Sequence, residues 1–343
     1  MIARHVRKLE AYVPGEQPRA RGVVKLNTNE NPYPPSPACA GVLKHFSLDL
    51  LRRYPDPSFC ALRDALAKLN DADPDCVFIG NGSDEVLSIA ARAFVEDDES
   101  IGSLDPSYSL YKTLAAIRDV KWIGAKNLST RIAPKTSLFL LTNPNAPTGE
   151  FREPSEIAAF AKRFRGVLVV DEAYADFARA NCMSLAVAPT NRNIIVMRTF
   201  SKSYSLAGLR VGYCVGPKNL IDAMYKVKDS YNVDAVAQAV ALAAVKDQAW
   251  MRTNVAKVVR TRARFVTALE KRGWNVMPSE SNFVFARPPA RENAADLFAW
   301  LRSKNIFVRY FPGPKTGDRL RITIGTDGQM KALLNAIDDR FCE

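Results

Sequence analysis

Histidine is almost missing from this chain, with only His5 and His45 among 343 residues. Neither lies in a nucleophile context, which removes a Ser-His-Asp triad, and two imidazoles are too few for most histidine-rich metal centres. Cysteine is sparse and scattered: Cys39, Cys60, Cys76, Cys182, Cys214 and Cys342 form no CxxC pair. Reduced thiols are expected, without a disulfide frame, a zinc site or any other bound metal. No stretch approaches the ~18 consecutive apolar residues of a membrane span. The first residues, Met1 to Lys8, carry charge with no apolar run behind them. Neither a secretory signal nor a membrane partner is expected, and the expected location is the cytoplasm.

Acidic residues are also outnumbered. Lys and Arg total 48 against 36 Asp and Glu, a net charge of +12. Such a surface attracts anions, either phosphorylated small molecules or nucleic acid, or it only serves solubility. The basic residues are dispersed, with a mild concentration over Arg252–Arg272 on an expected helix, and no basic run is interleaved with aromatics. Nucleic acid is therefore not an expected partner.

What the chain has in quantity is alternation. Short β-branched runs, among them Val77–Ile79, Ser137–Leu141, Val167–Val170, Asn193–Met197 and Val211–Val215, are separated by helical stretches such as Ser83–Phe94 and Pro154–Phe164. That order predicts an α/β fold with a mostly parallel sheet covered by helices on both faces, whose active site collects at the strands' carboxyl ends. From Ala235 to about Arg272 the pattern is helical with a break near Gln248. The remainder, with strands at Asn282–Ala286, Ile306–Tyr310 and Leu320–Ile324, predicts a smaller α+β unit. The expected division is an N-terminal arm over 1–30 that packs on the small unit, a large domain over 31–248 and a small domain over 249–343.

The residues with chemistry gather just past the strand-like runs. Thr199-Phe200-Ser201-Lys202 is followed eight residues later by Arg210, and Asp171-Glu172-Ala173-Tyr174 closes the run Val167–Val170. A lysine amine can condense with an aldehyde. Arg210, Thr199 and Ser201 can grip a phosphate, and Asp171 can pair with a pyridinium nitrogen. This is a kit for pyridoxal 5'-phosphate. Gly80-Asn81-Gly82-Ser83-Asp84-Glu85 joins a strand to a helix, and the free N–H groups at Ser83, Asp84 and Glu85 form an anion site. Tyr108, in Asp105-Pro106-Ser107-Tyr108, is the candidate to stack on the ring, and Tyr174 the candidate to hydrogen-bond its 3-oxygen.

Taken together, these segments resemble the fold-type I pyridoxal-phosphate-dependent aminotransferases and, within them, the histidinol-phosphate aminotransferase family. The resemblance spans nearly the whole chain: Lys25–Pro32 (KLNTNENP), Arg53-Tyr54-Pro55-Asp56, the GNGSDE turn, Thr142–Gly149 (TNPNAPTG), DEAY, the lysine segment, Tyr231-Asn232-Val233 and Leu320–Thr326 (LRITIGT). It implies a large domain with a seven-stranded, mostly parallel sheet between helices plus a smaller α+β domain. It also implies a homodimer with shared active sites, in which Tyr54 reaches the partner's cofactor phosphate. Arg321 is then the contact for the substrate carboxylate or phosphate, Tyr12 and Arg309 add phosphate contacts, and Asn29 lies in a segment closing over the site. The implied reaction is transamination of histidinol phosphate with 2-oxoglutarate in histidine biosynthesis, with Lys202 carrying the proton, assisted by Asp171 and Tyr174. Aromatic amino-acid transamination and decarboxylation of a phosphorylated amino acid on the same scaffold are the alternatives. One position departs from the family pattern. The asparagine expected directly before Pro-Thr-Gly is Ala146, so either Asn145 takes over the ring 3-oxygen or Tyr174 holds it alone.

Overall fold

Runs such as Leu138–Leu141, Val167–Val170 and Ile194–Met197 offer no polar side chain to water, so the strands they form must be buried on both faces. The computed structural model, which describes residues 1–3, 5–9, 15–18 and 22–342, places them at the centre of a seven-stranded sheet. Its strand order is Val77–Gly80, Gly212–Val215, Ile194–Thr199, Val167–Asp171, Thr136–Thr142, Ser100–Leu104, Lys121–Ala125. All strands run parallel except Gly212–Val215, which is antiparallel to both neighbours.

Strand alternation divides the core in two. Phe139, Leu141, Leu168, Val170, Ile194 and Val196 face one side, where Leu62, Leu66, Ile157 and Phe160 from covering helices meet them. Leu138, Leu140, Val169, Ile195 and Met197 face the other, against Val86, Leu87, Tyr111, Ile221 and Met224. Each fully buried side chain of this kind contributes roughly 1.5–3 kcal/mol through removal from water.

A second sheet holds Arg309–Tyr310, Leu320–Thr323, Phe283–Arg287 and Asn275–Val276 in that order, each antiparallel to its neighbour. It packs with helices Gln248–Glu270, Ala294–Ser303 and Asp327–Cys342 around a separate core. The expected domain boundary at 248 falls at the start of the 23-residue helix Gln248–Glu270. That helix begins on the large core through Met251 and ends in the small one through Val258, Phe265 and Leu269. Asp247 caps it, accepting a hydrogen bond from the Trp250 N–H at 3.2 Å.

The expected single strand Ile306–Tyr310 is two. Ile306–Phe307 pairs in parallel with Val24–Lys25, while Arg309–Tyr310 pairs with the strand Leu320–Thr323. Val308, buried in the small core, is the corner between them. The arm is tied down there: the Leu26 N–H donates to the Phe307 carbonyl at 2.7 Å, and the Thr323 N–H to the Leu26 carbonyl at 3.0 Å.

Candidate active site

Parallel strands deliver Thr142, Asp171 and Thr199 to one edge of the large sheet, and the small sheet faces that edge with Arg309 and Arg321. Between them lies a cleft of ≈ 550 Å³. Ser83, Asp84, Tyr108, Asp171, Tyr174, Thr199, Ser201, Lys202, Arg210, Asn29, Arg309 and Arg321 all line it.

Asp171 ends its strand and is buried. Its Oδ2 accepts from the Tyr111 hydroxyl at 2.8 Å and its Oδ1 from the Ala173 N–H at 3.1 Å. The Tyr111 hydroxyl also lies 2.6 Å from Thr142 Oγ1. Burial pushes the Asp171 carboxyl up to about 6, and the bonds from Tyr111 and Ala173 pull the other way. Nothing in the local sequence marks Tyr111 as this carboxylate's support; only the fold shows it.

Lys202 sits in a loop just past the strand Ile194–Thr199. Its Nζ donates to the Thr28 carbonyl at 3.1 Å and lies 5.7 Å from the centre of the Tyr174 ring. Burial lowers the ammonium to about 8, helped by nearby Arg321 and opposed by Glu30 and Asp84. The neighbouring Ser203 hydroxyl donates to Asp176. Asp176 and the buried Glu172 share Arg198, whose Nη1 and Nε reach them at 2.8 Å each. Burial raises the Glu172 carboxyl while Arg198 draws it back down. Glu172, second residue of the DEAY segment, thus serves the floor under the lysine loop.

The expected anion cradle lies where the strand Val77–Gly80 turns into the helix Ser83–Phe94. Gly82 has φ 84°, and a Cβ there would stand 2.6 Å from Arg210 Nη2, so both the turn and the guanidinium's approach require glycine. At Gly212 a Cβ would meet the Ser83 nitrogen at 2.5 Å, so this glycine lets the reversed strand pass against the helix start. Arg210 Nη1 donates to Ser201 Oγ at 3.5 Å, and its Nη2 lies 3.5 Å from Asp84 Oδ2. Thr199 Oγ1 donates to Ser201 Oγ at 3.1 Å and accepts from the Ser201 N–H at 3.2 Å. Tyr108 leans edge-on against Tyr111, ring centres 5.6 Å apart, and its hydroxyl donates to Asp84 at 3.3 Å.

On the facing wall, Asn29 is buried with φ 55°. Its side-chain amide donates to the Tyr174 hydroxyl at 2.9 Å, and its carboxamide oxygen accepts from Thr323 Oγ1 at 3.0 Å. Arg321 donates to the Asn27 carbonyl at 2.9 Å and stands over the rings of Phe283 and Phe311 at 5.3 and 5.2 Å. Arg309 packs over Phe311 at 5.3 Å.

Two expected residues stand outside the cleft. Asn145 is turned away from the cleft: its oxygen accepts from Ser107 at 3.0 Å, and its amide donates to the Pro106 carbonyl at 3.1 Å and to Thr148 at 2.9 Å. Ala146 and Pro147 take its place along the cleft wall, and of the two candidates for the ring 3-oxygen only Tyr174 lines the cleft. Tyr54 is 79% exposed and stacks on Tyr231, ring centres 4.3 Å apart, away from the cleft of its own chain. Tyr12 lies outside the described residues.

The donor set suits a phosphorylated pyridoxal. N–H groups at a helix start, hydroxyls and a guanidinium match the phosphate, a buried carboxylate matches the ring nitrogen, and the lysine amine matches the aldehyde. The family "Aminotransferase class I and II" matches residues 21–337. The chain is 42% identical to histidinol-phosphate aminotransferase 1 of Nostoc sp. (strain PCC 7120 / SAG 25.82 / UTEX 2576), covering 98% of this chain and 96% of that protein. It is 44% identical to the histidinol-phosphate aminotransferase of Syntrophotalea carbinolica, covering 98% and 99%. Among solved structures, the histidinol-phosphate aminotransferase of Sinorhizobium meliloti in complex with pyridoxal-5'-phosphate superposes with a TM-score of 0.88 at 25% identity, over 98% of this chain and 96% of that one.

Proposed function

The chain belongs to the class I and II aminotransferases, a pyridoxal-phosphate-dependent family, and we propose that its substrate pair is histidinol phosphate and 2-oxoglutarate. The observation that carries this reading is the placement of Arg309 and Arg321 on the wall facing Lys202, in a chain with 42% identity to a histidinol-phosphate aminotransferase over nearly its whole length. A guanidinium donates to carboxylate or phosphate oxygens through the same planar fork. Arg321 therefore suits both members of the pair, and Arg309 adds a second cation for the phosphate dianion.

When bound, pyridoxal phosphate supplies an aldehyde for the amino group and a ring that takes up the electron pair released at the α-carbon. Ser83, Thr199, Ser201 and Arg210 hold its phosphate, and Tyr108 covers the ring. The Asp171 carboxylate, desolvated and supported by Tyr111, keeps the ring nitrogen protonated. Lys202 Nζ, with its affinity for protons reduced by burial, would be the base that takes the substrate's α-proton and holds it for return. The Tyr174 hydroxyl, oriented by Asn29, donates to the ring oxygen. The working form is a homodimer, a reading supported by the exposed apolar side chains of Leu48, Leu50, Leu51, Tyr54 and Tyr231. Across that interface Tyr54 serves the other subunit's phosphate.

A donor screen with 2-oxoglutarate as acceptor tests the substrate. Histidinol phosphate should give the highest kcat/KM with stoichiometric glutamate. Higher values for phenylalanine or tyrosine, or release of carbon dioxide from a phosphorylated amino acid, would replace this substrate by the corresponding one.

A further inference from the structure

The lysine loop is held from two sides by different parts of the chain. On one side Ser203 is bound to Asp176, itself paired with Arg198. On the other side stands Asn31, partly buried, with every hydrogen-bonding atom of its amide engaged. Its Nδ2 donates to the carbonyls of Lys202 at 3.1 Å and Ser203 at 3.2 Å, and its Oδ1 accepts from the Tyr33 N–H at 3.1 Å. Three residues before it, the Thr28 carbonyl accepts from Lys202 Nζ at 3.1 Å. One short segment thus grips Lys202 at both its backbone and its amine. A single NH₂ bound to two successive carbonyls fixes the peptide plane between them, and with it the direction in which the lysine side chain leaves the backbone.

We propose that Asn31 is a positioning residue for Lys202, setting the backbone from which the proton-carrying amine reaches into the cleft. Serine or alanine at position 31 leaves both carbonyls without this donor. Aspartate keeps the bond from Tyr33 but turns a carboxylate oxygen toward two carbonyl oxygens, which repels the loop. The inference rests on Lys202 being the proton carrier, and its test separates the two.

Cofactor-free Asn31→Ala, Asn31→Asp and native protein are labelled with an amine-reactive acylating reagent over a pH series, and the Lys202 peptide is quantified by mass spectrometry. Native Lys202 should label with a midpoint near 8. In both variants the midpoint should rise by about one pH unit as the amine leaves its desolvated position. With cofactor restored, kcat should fall by about tenfold or more, while KM for the amino donor stays within about twofold. An aspartate variant that matches native protein in labelling and kcat overturns the proposal. So does a loss of kcat that merely follows the unfolded fraction, measured by thermal denaturation, with the labelling midpoint unchanged. Turnover retained by Lys202→Ala would overturn the proton-carrier reading instead, and the labelling shift would still report whether Asn31 holds the loop.

Discussion

Asp171 and Lys202 are driven in opposite directions by one cause, since burial disfavours the charged form of each: the acid is pushed up to about 6 and the base down to about 8. For Asp171 this has a measurable consequence in the cofactor-free protein. The native state holds the carboxyl proton more tightly than the unfolded chain does. Its stabilising contribution is therefore complete below the unfolded value of 3.8 and is lost as pH rises through about 6. The interval corresponds to on the order of 3 kcal/mol. Urea midpoints of native protein and Asp171→Asn, compared from acidic to neutral pH, should show native protein losing ground as pH rises; parallel curves would contradict the assignment. The same variant should bind cofactor yet lose orders of magnitude in kcat, because a neutral amide cannot hold the ring nitrogen protonated.

The turn from the strand Val77–Gly80 into the helix Ser83–Phe94 shows how an element earns its composition. Gly82 is required by a positive φ and by the Arg210 guanidinium lying against it. Gly82→Ala should displace Arg210 from the cradle and weaken retention of pyridoxal phosphate by about ten- to a hundredfold, the value of one charge-assisted hydrogen bond. Equilibrium dialysis of the cofactor measures it, and unchanged affinity would remove Arg210 from the cradle. The cradle is legible in the sequence as two separate runs, the glycines and Ser83 of Gly80–Glu85 and the hydroxyls of Thr199 and Ser201 with Arg210 beyond them; that the two runs meet is shown only by the fold. The central strands are legible too, since their unbroken apolar runs admit only two-sided burial. The strand Val24–Lys25 is not legible: two residues carry no period, and their partner Ile306–Phe307 is reached only through the fold. Nor is the support of Asp171 by Tyr111, or the grip of Thr28 and Asn31 on Lys202, because each depends on a contact that no local pattern announces. Asn145 misleads for the opposite reason, since its spacing fits the cleft but its amide is consumed by Ser107, Pro106 and Thr148.

For the whole molecule, Tyr54 is the residue that a single chain leaves unexplained. It stacks on Tyr231 at the surface, and Leu48, Leu50 and Leu51, just before it in the chain, are exposed as well, apolar side chains suited to a second copy. If each site borrows Tyr54 from its neighbour, co-expressed Tyr54→Ala and Lys202→Ala chains should form hybrids with one intact site. Turnover above that of either variant alone is expected, and sedimentation should show dimers. Turnover no better than the Tyr54→Ala parent, diluted, would place both residues in the same chain's site.

The pairing of residues 24 and 25 with 306 and 307, and the bond from Thr323 to Asn29, also fix when this enzyme can begin to work. The large sheet is complete once the ribosome has passed Val215, yet the facing wall needs the earliest stretch of the chain to wait for nearly the last. A nascent polypeptide can therefore bury its main core long before it can close its catalytic cleft. Trimming the protein at either terminus should silence it without unravelling its larger half.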